Sequence, residues 1–227
     1  MASPFELFFT NLTDTQRLLE IHQQLGGDGP GRRHRLEALN KSAIVLMCAA
    51  FEAFIETLAT QSFSSLVDET HDPGHLPDTL RRAVAEKLKA SPHHLQVWDL
   101  AGDGWKAACT AHKQQAIEQY TAKMNTPKAG QIDELFKKLL GIPDFSDGWG
   151  WHNMPSQRCK DKLRRFVELR GAIAHGEQPA PRVQRNHAII YLNFLGYLTA
   201  CCNNLMRDWC HQATGVYPWE PAVYLPV

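Results

Sequence analysis

An arginine, a histidine and a glutamate are the residues of this chain whose types and spacing could do chemistry. Arg170 lies on a helical stripe formed by Cys159, Leu163, Phe166, Val167 and Ala174. It comes seven residues after Leu163 and three after Val167, where the period of an α-helix expects a core side chain. A guanidinium on a buried face needs an anion, because an unpaired buried charge is costly. Glu52 is the only charged residue from Ala43 to Ile55 and has the converse need. A Glu52–Arg170 pair satisfies both, and such a pair could be purely architectural. His175 adds something that an architectural pair does not explain. It lies five residues beyond Arg170 and just before Gly176, a C-capping residue, with Pro179 and Pro181 barring further helix. Five is not the same-face spacing of a straight helix, so the imidazole reaches the side of Arg170 only where the chain leaves the helix. Imidazole is the proton-transfer group of neutral pH, and guanidinium fits a phosphate through paired donors.

The stretch Glu168-Leu169-Arg170-Gly171-Ala172-Ile173-Ala174-His175-Gly176 resembles the R-x4–6-H motif of the HEPN superfamily, many of whose members are RNases of bacterial toxin–antitoxin and phage-defence systems. The resemblance extends to the acid embedded in Ala49-Ala50-Phe51-Glu52-Ala53, and to a motif helix followed by a long apolar last helix. It covers about 33–68 and 155–211. It implies an all-α, HEPN-like helical bundle that dimerises with two motif segments facing each other. It implies metal-independent endoribonuclease chemistry, in which a ribose 2′-hydroxyl attacks the adjacent phosphate. His175 would be general acid or base, Arg170 would hold the phosphate, and Glu52 would orient Arg170. RNA is then the implied substrate, and an antitoxin or defence-system protein a possible partner. The alternative is a non-catalytic HEPN module that binds RNA, a nucleotide or a protein. Gly171 favours that alternative, since many active members carry asparagine, aspartate or histidine after the arginine.

The elements that must position these residues are helices. Ser3, Pro4 and Glu6 form a helix start with a capping box, and Phe5, Phe8, Leu12 and Leu19 continue its apolar face to the Gly26–Gly31 loop. A long helix from about Arg33 to about Asp68 is apolar nearly all round between Ala43 and Ile55, as suits the centre of a bundle. A short helix follows near Pro77–Lys89. Helices near Gly104–Met124 and Ala129–Leu140 belong to a less regular middle, read as an insertion at 91–151 in a single domain spanning 1–227. The motif helix spans about Ser156 to His175. The last runs from near Pro181 to about His211, with Tyr191, Phe194, Leu198, Cys202, Leu205 and Trp209 as its seam. No alternating strand pattern appears, so the fold class is all-α.

Composition narrows the function classes. Lys plus Arg equals Asp plus Glu at 24 each, which argues against a protein that coats nucleic acid and leaves only local contact. The local candidate is the motif helix, where Arg158, Lys160, Lys162, Arg164, Arg165 and Arg170 face Asp161 and Glu168. The apolar runs Ala43–Phe51 and Ala188–Leu195 fall short of the ~20 residues of a membrane span, and the N-terminus lacks a secretion signal. A cytoplasmic protein with reduced thiols and no membrane contact is therefore expected. His71 with His75, and the adjacent His93 and His94, lack the cysteine or acidic company of a zinc site, so no metal or cofactor is expected. Trp105, Trp149 and Trp151 could stack on bases or pin their loops to the bundle.

Overall fold

The structure, a computed structural model, describes residues 2–26, 36–123, 127–176 and 181–226. Within them the chain forms eight α-helices: α1 Pro4–Asn11, α2 Thr13–Gly26, α3 Glu37–Glu69, α4 Asp78–Lys89, α5 Gly104–Lys123, α6 Ala129–Leu140, α7 Ser156–Ala174 and α8 Arg185–Thr214. There is no strand among the described residues, only an isolated bridge between Trp151 and Met154. The all-α expectation holds.

The expected first helix is two. Ser3 and Glu6 form the reciprocal cap, with Ser3 N–H donating to Glu6 Oε2 at 2.7 Å and Glu6 N–H to Ser3 Oγ at 3.2 Å. The helix then stops at Leu12, and Thr13 starts α2 with its hydroxyl bonded to the Thr10 carbonyl at 2.8 Å. The apolar spacing runs on through this break, which is why periodicity alone misses it. Of the Gly26–Gly31 loop, Gly26 ends α2 and the remainder lies outside the described residues.

The fold is organised around α3. It packs against α1, α2, α5, α6, α7 and α8, and fifteen of its residues are buried. By length and composition α3 is apolar enough to cross a membrane, contrary to the expectation from the run Ala43–Phe51. Its place among six helices accounts for that composition, since a helix surrounded by others needs no polar face. The segment 91–151 feeds the same core, through Trp105, Cys109, Tyr120, Leu135, Phe136 and Trp149. Trp149 is 1% exposed, and Trp151 stacks on Tyr197 with centroids 5.5 Å apart, so these rings hold their loop against α8.

The buried face of α8 is broader than the expected seam and shares its middle. Phe194, Leu198 and Cys202 are buried as expected, Ala188, Leu192, Leu195, Met206 and Cys210 are buried beside them, and Tyr191, Leu205 and Trp209 are only partly buried. The C-terminal tail covers much of the remainder. It turns at Gly215 (φ 80°) and runs back along α8. Trp219 donates its indole N–H to the Asn203 carbonyl at 3.3 Å, and the Asn204 side chain holds both backbone groups of Ala222, at 2.9 and 2.7 Å. Tyr224 lies over Gly196, where an added Cβ would meet its ring at 2.4 Å. The apolar circumference of α8 is thus partly explained within one chain.

Candidate active site at the end of the motif helix

Four buried residues seat α7 on the bundle: Cys159, Leu163, Phe166 and Val167. Beyond Val167 the helix climbs out of the core. Arg170 is partly buried, and Ala174, expected on the same stripe, is exposed. The stripe therefore ends at Val167, and Arg170 stands partly buried at the margin of the core, with its guanidinium Nε shielded from solvent.

α7 ends as its sequence requires. His175 is the C-cap (φ −89°, ψ −1°) and its N–H donates to the Gly171 carbonyl at 2.9 Å. Gly176 takes the left-handed conformation (φ 64°), which glycine adopts without strain. Pro179 lies outside the described residues, while Pro181–Gln184 are non-helical before α8 begins. The chain after the motif is fastened to the start of α3. Asn40 Nδ2 donates to the Val183 carbonyl at 2.9 Å, and Val183 N–H donates to Glu37 Oε1 at 3.3 Å. His175 itself is exposed, and its imidazole has no hydrogen bond or ion pair among the described residues.

Across from α7, Glu52 is partly buried on α3, so neither member of the expected pair lies in the core. Burial pushes the Glu52 carboxyl above the usual carboxylate range, while the Arg170 guanidinium and the Cys48 thiol draw it back down. Cys48 Sγ donates to Glu52 Oε1 at 3.6 Å. Burial first, and then the Glu52 charge, push that thiol up to about 12, so it stays protonated and serves as a donor. The structure thus brings Glu52 and Arg170 into one electrostatic neighbourhood and leaves His175 at the solvent edge of the same helix end.

Two residues that the sequence reading did not single out join this neighbourhood. Glu56 follows Glu52 by one helical turn on α3, and its carboxyl is raised by burial and by the Glu52 charge. Tyr120 of α5 faces both acids and is 8% exposed, and its hydroxyl has no hydrogen-bond partner among the described residues. The signal for Glu56 was its i+4 spacing from Glu52, just past the apolar run. Tyr120 carried no comparable signal, because it lies in the less regular middle of the chain.

The basic face of α7 is narrower than its composition suggests. Arg164 lies between Asp161 and Glu168, at 3.8 and 3.0 Å, and Lys160 pairs with Asp147. Lys162 sits 5.0 Å over the Phe194 ring, where burial lowers its pKa. Arg158 and Arg165 form no ion pair among the described residues. Also among the described residues, no group of three or more His, Cys, Asp or Glu side chains could hold a metal ion.

A family model described as RiboL-PSP-HEPN matches residues 10–207. The chain belongs to this HEPN family. The match takes in α3 with Glu52, the middle segment 91–151, α7 with Arg170 and His175, and α8 as far as Arg207. No curated protein and no solved structure matches the chain. In this HEPN protein the motif arginine and histidine lie on the penultimate helix, and the acid lies on the central helix against which it packs. Gly171 follows the motif arginine in open space, since an added Cβ there would meet nothing within 4 Å.

Proposed function

We propose that this HEPN protein is a metal-independent endoribonuclease whose catalytic residues are Arg170 and His175, with Glu52 positioning Arg170. The carrying observation is the division of the α7 end into two parts. A partly buried guanidinium is steadied by an acid from α3, and an exposed imidazole stands at the helix terminus beyond it. Arginine holds the scissile phosphate and offsets the charge that develops on it. The substrate's own 2′-hydroxyl attacks phosphorus and the bond to the 5′-oxygen breaks. One proton leaves the nucleophile and one reaches the departing oxygen. His175 acts as general base or general acid in that exchange. The products are a 2′,3′-cyclic phosphate and a 5′-hydroxyl.

The working protein on this reading is a cytoplasmic homodimer with two His175 residues near its two-fold axis. Toxin or phage-defence effector is the biological role that fits, with a neutralising partner protein. The test is cleavage of a short RNA by purified protein, beside the same strand with one 2′-deoxy residue. Cleavage should stop at the deoxy position in wild type and disappear from the whole strand in His175→Ala. Cleavage that ignores the missing hydroxyl would overturn the mechanism.

Gly171 supports a second reading, a HEPN module that binds RNA, a nucleotide or a protein without cutting. It lacks the polar side chain that follows the arginine in many active relatives. Binding without cleavage in wild type would favour it.

A further inference from the structure

The acidic side of the site holds a group that the proposed reaction does not use. Glu56 is partly buried one turn beyond Glu52, on the same face of α3, and its carboxylate has no hydrogen bond or ion pair among the described residues. Side chains at this spacing lie about 5–6 Å apart at Cβ. Glu56 is therefore one helical turn along α3 from the acid that interacts with Arg170. The Tyr120 hydroxyl lies within the electrostatic reach of both acids, on a residue that is nine-tenths buried, and it has no hydrogen-bond partner among the described residues. A phenylalanine would fill that space with no unsatisfied hydroxyl, and a glutamine at 56 would avoid burying a charge. Both polar groups cost stability where they stand.

A carboxylate offers only acceptors, and its two oxygens suit two adjacent donors. Among the four RNA bases, guanine alone presents two neighbouring N–H donors on its Watson–Crick edge, from N1 and N2. Adenine and cytosine offer one amino group beside an acceptor that repels a carboxylate. Uracil offers one N–H between two carbonyls. Bases of single-stranded RNA are commonly read on this edge, while phosphate contacts set the register.

We infer that Glu56 is a specificity-determining residue that takes the N1–H and N2–H edge of a guanine next to the phosphate held by Arg170, with the Tyr120 hydroxyl steadying its carboxylate. The inference rests on the nuclease reading for the placement of the phosphate, but base recognition can be measured without cleavage. The probes are short fluorescent oligonucleotides, uncleavable through 2′-O-methylation, with guanosine, inosine, adenosine, cytidine or uridine at one position. Binding to the full chain is followed by anisotropy. Wild type should prefer guanosine over inosine, which lacks the N2 amino group, by about tenfold, as expected for loss of one arm of a bidentate contact. Glu56→Gln should bring the two within about twofold while remaining folded by circular dichroism, and Tyr120→Phe should narrow the preference. Equal affinity for all five strands, no binding to any, or a preference untouched in Glu56→Gln would each overturn the inference. Guanine preference without cleavage of the matching ribose strand would sink the nuclease reading and leave the base site standing. Cleavage without base preference would do the reverse.

Discussion

Glu52 of α3 and Arg170 of α7 face each other across the margin of the core, each partly buried, with the guanidinium favouring the ionised form of the acid. A pair in this position is neither a fully buried bridge nor a surface contact. Its guanidinium can turn toward a phosphate without being drawn out of the interior.

Loss of one partner should therefore cost less than the 3–5 kcal/mol typical of a broken buried pair. Arg170→Ala should lower stability by about 1–2 kcal/mol, and adding Glu52→Gln should recover most of it, because the stranded acid is then gone. Urea unfolding of the wild type, both single variants and the double variant measures this. Additive losses would mean that the two residues do not interact.

His175→Ala should leave stability within about 0.5 kcal/mol of wild type, since the imidazole is exposed and makes no polar contact among the described residues. Thermal unfolding checks it. A larger loss would give His175 a structural role that the geometry does not show.

Glu56 carries a pH signature. Its folded carboxyl is raised by burial and by Glu52, so the folded state holds its proton more tightly than the unfolded chain does. That contribution is fully present below the ordinary carboxylate pKa and is lost as pH rises through the raised value. Glu56→Gln should therefore be stabilising at pH 7, by under about 0.5 kcal/mol at this partly exposed position, and the gain should shrink toward pH 4. A gain that grows on acidification would contradict the assignment.

Gly171 is a helix-interior glycine with open space at its Cβ position. Gly171→Ala should raise stability by about 0.5–1 kcal/mol, the usual difference between these residues in a helix. Gly171→Asn should fold as well as wild type and cleave RNA at least as fast, because it restores a polar side chain beside Arg170. Loss of cleavage in a stably folded Gly171→Asn protein would show that the open space is itself required.

Much of this was legible in the sequence because the relevant features are local. Helical spacing placed α3 through α8 within a few residues, and the glycine after His175 marked the end of α7. The family resemblance rested on the same two stretches that carry Arg170, His175 and Glu52. What escaped was set by tertiary context. The break at Leu12 leaves the apolar period unchanged. The buried face of α8 is broader than its expected seam, and the tail that covers part of it through Trp219 and Tyr224 is something periodicity cannot see. Arg170 was expected inside the core because its stripe points there, yet α7 leaves the core after Val167. Tyr120 joins the site only because α5 packs on α3.

On the proposed function, the end of α7 cuts RNA through Arg170 and His175. Mixed RNA incubated with the purified protein in EDTA, with analysis of the product ends, tests it most directly. The expected result is cleavage to 2′,3′-cyclic phosphate and 5′-hydroxyl ends, absent from both the His175→Ala and Arg170→Ala proteins. Intact RNA with wild type, or equal cleavage by His175→Ala, would contradict it.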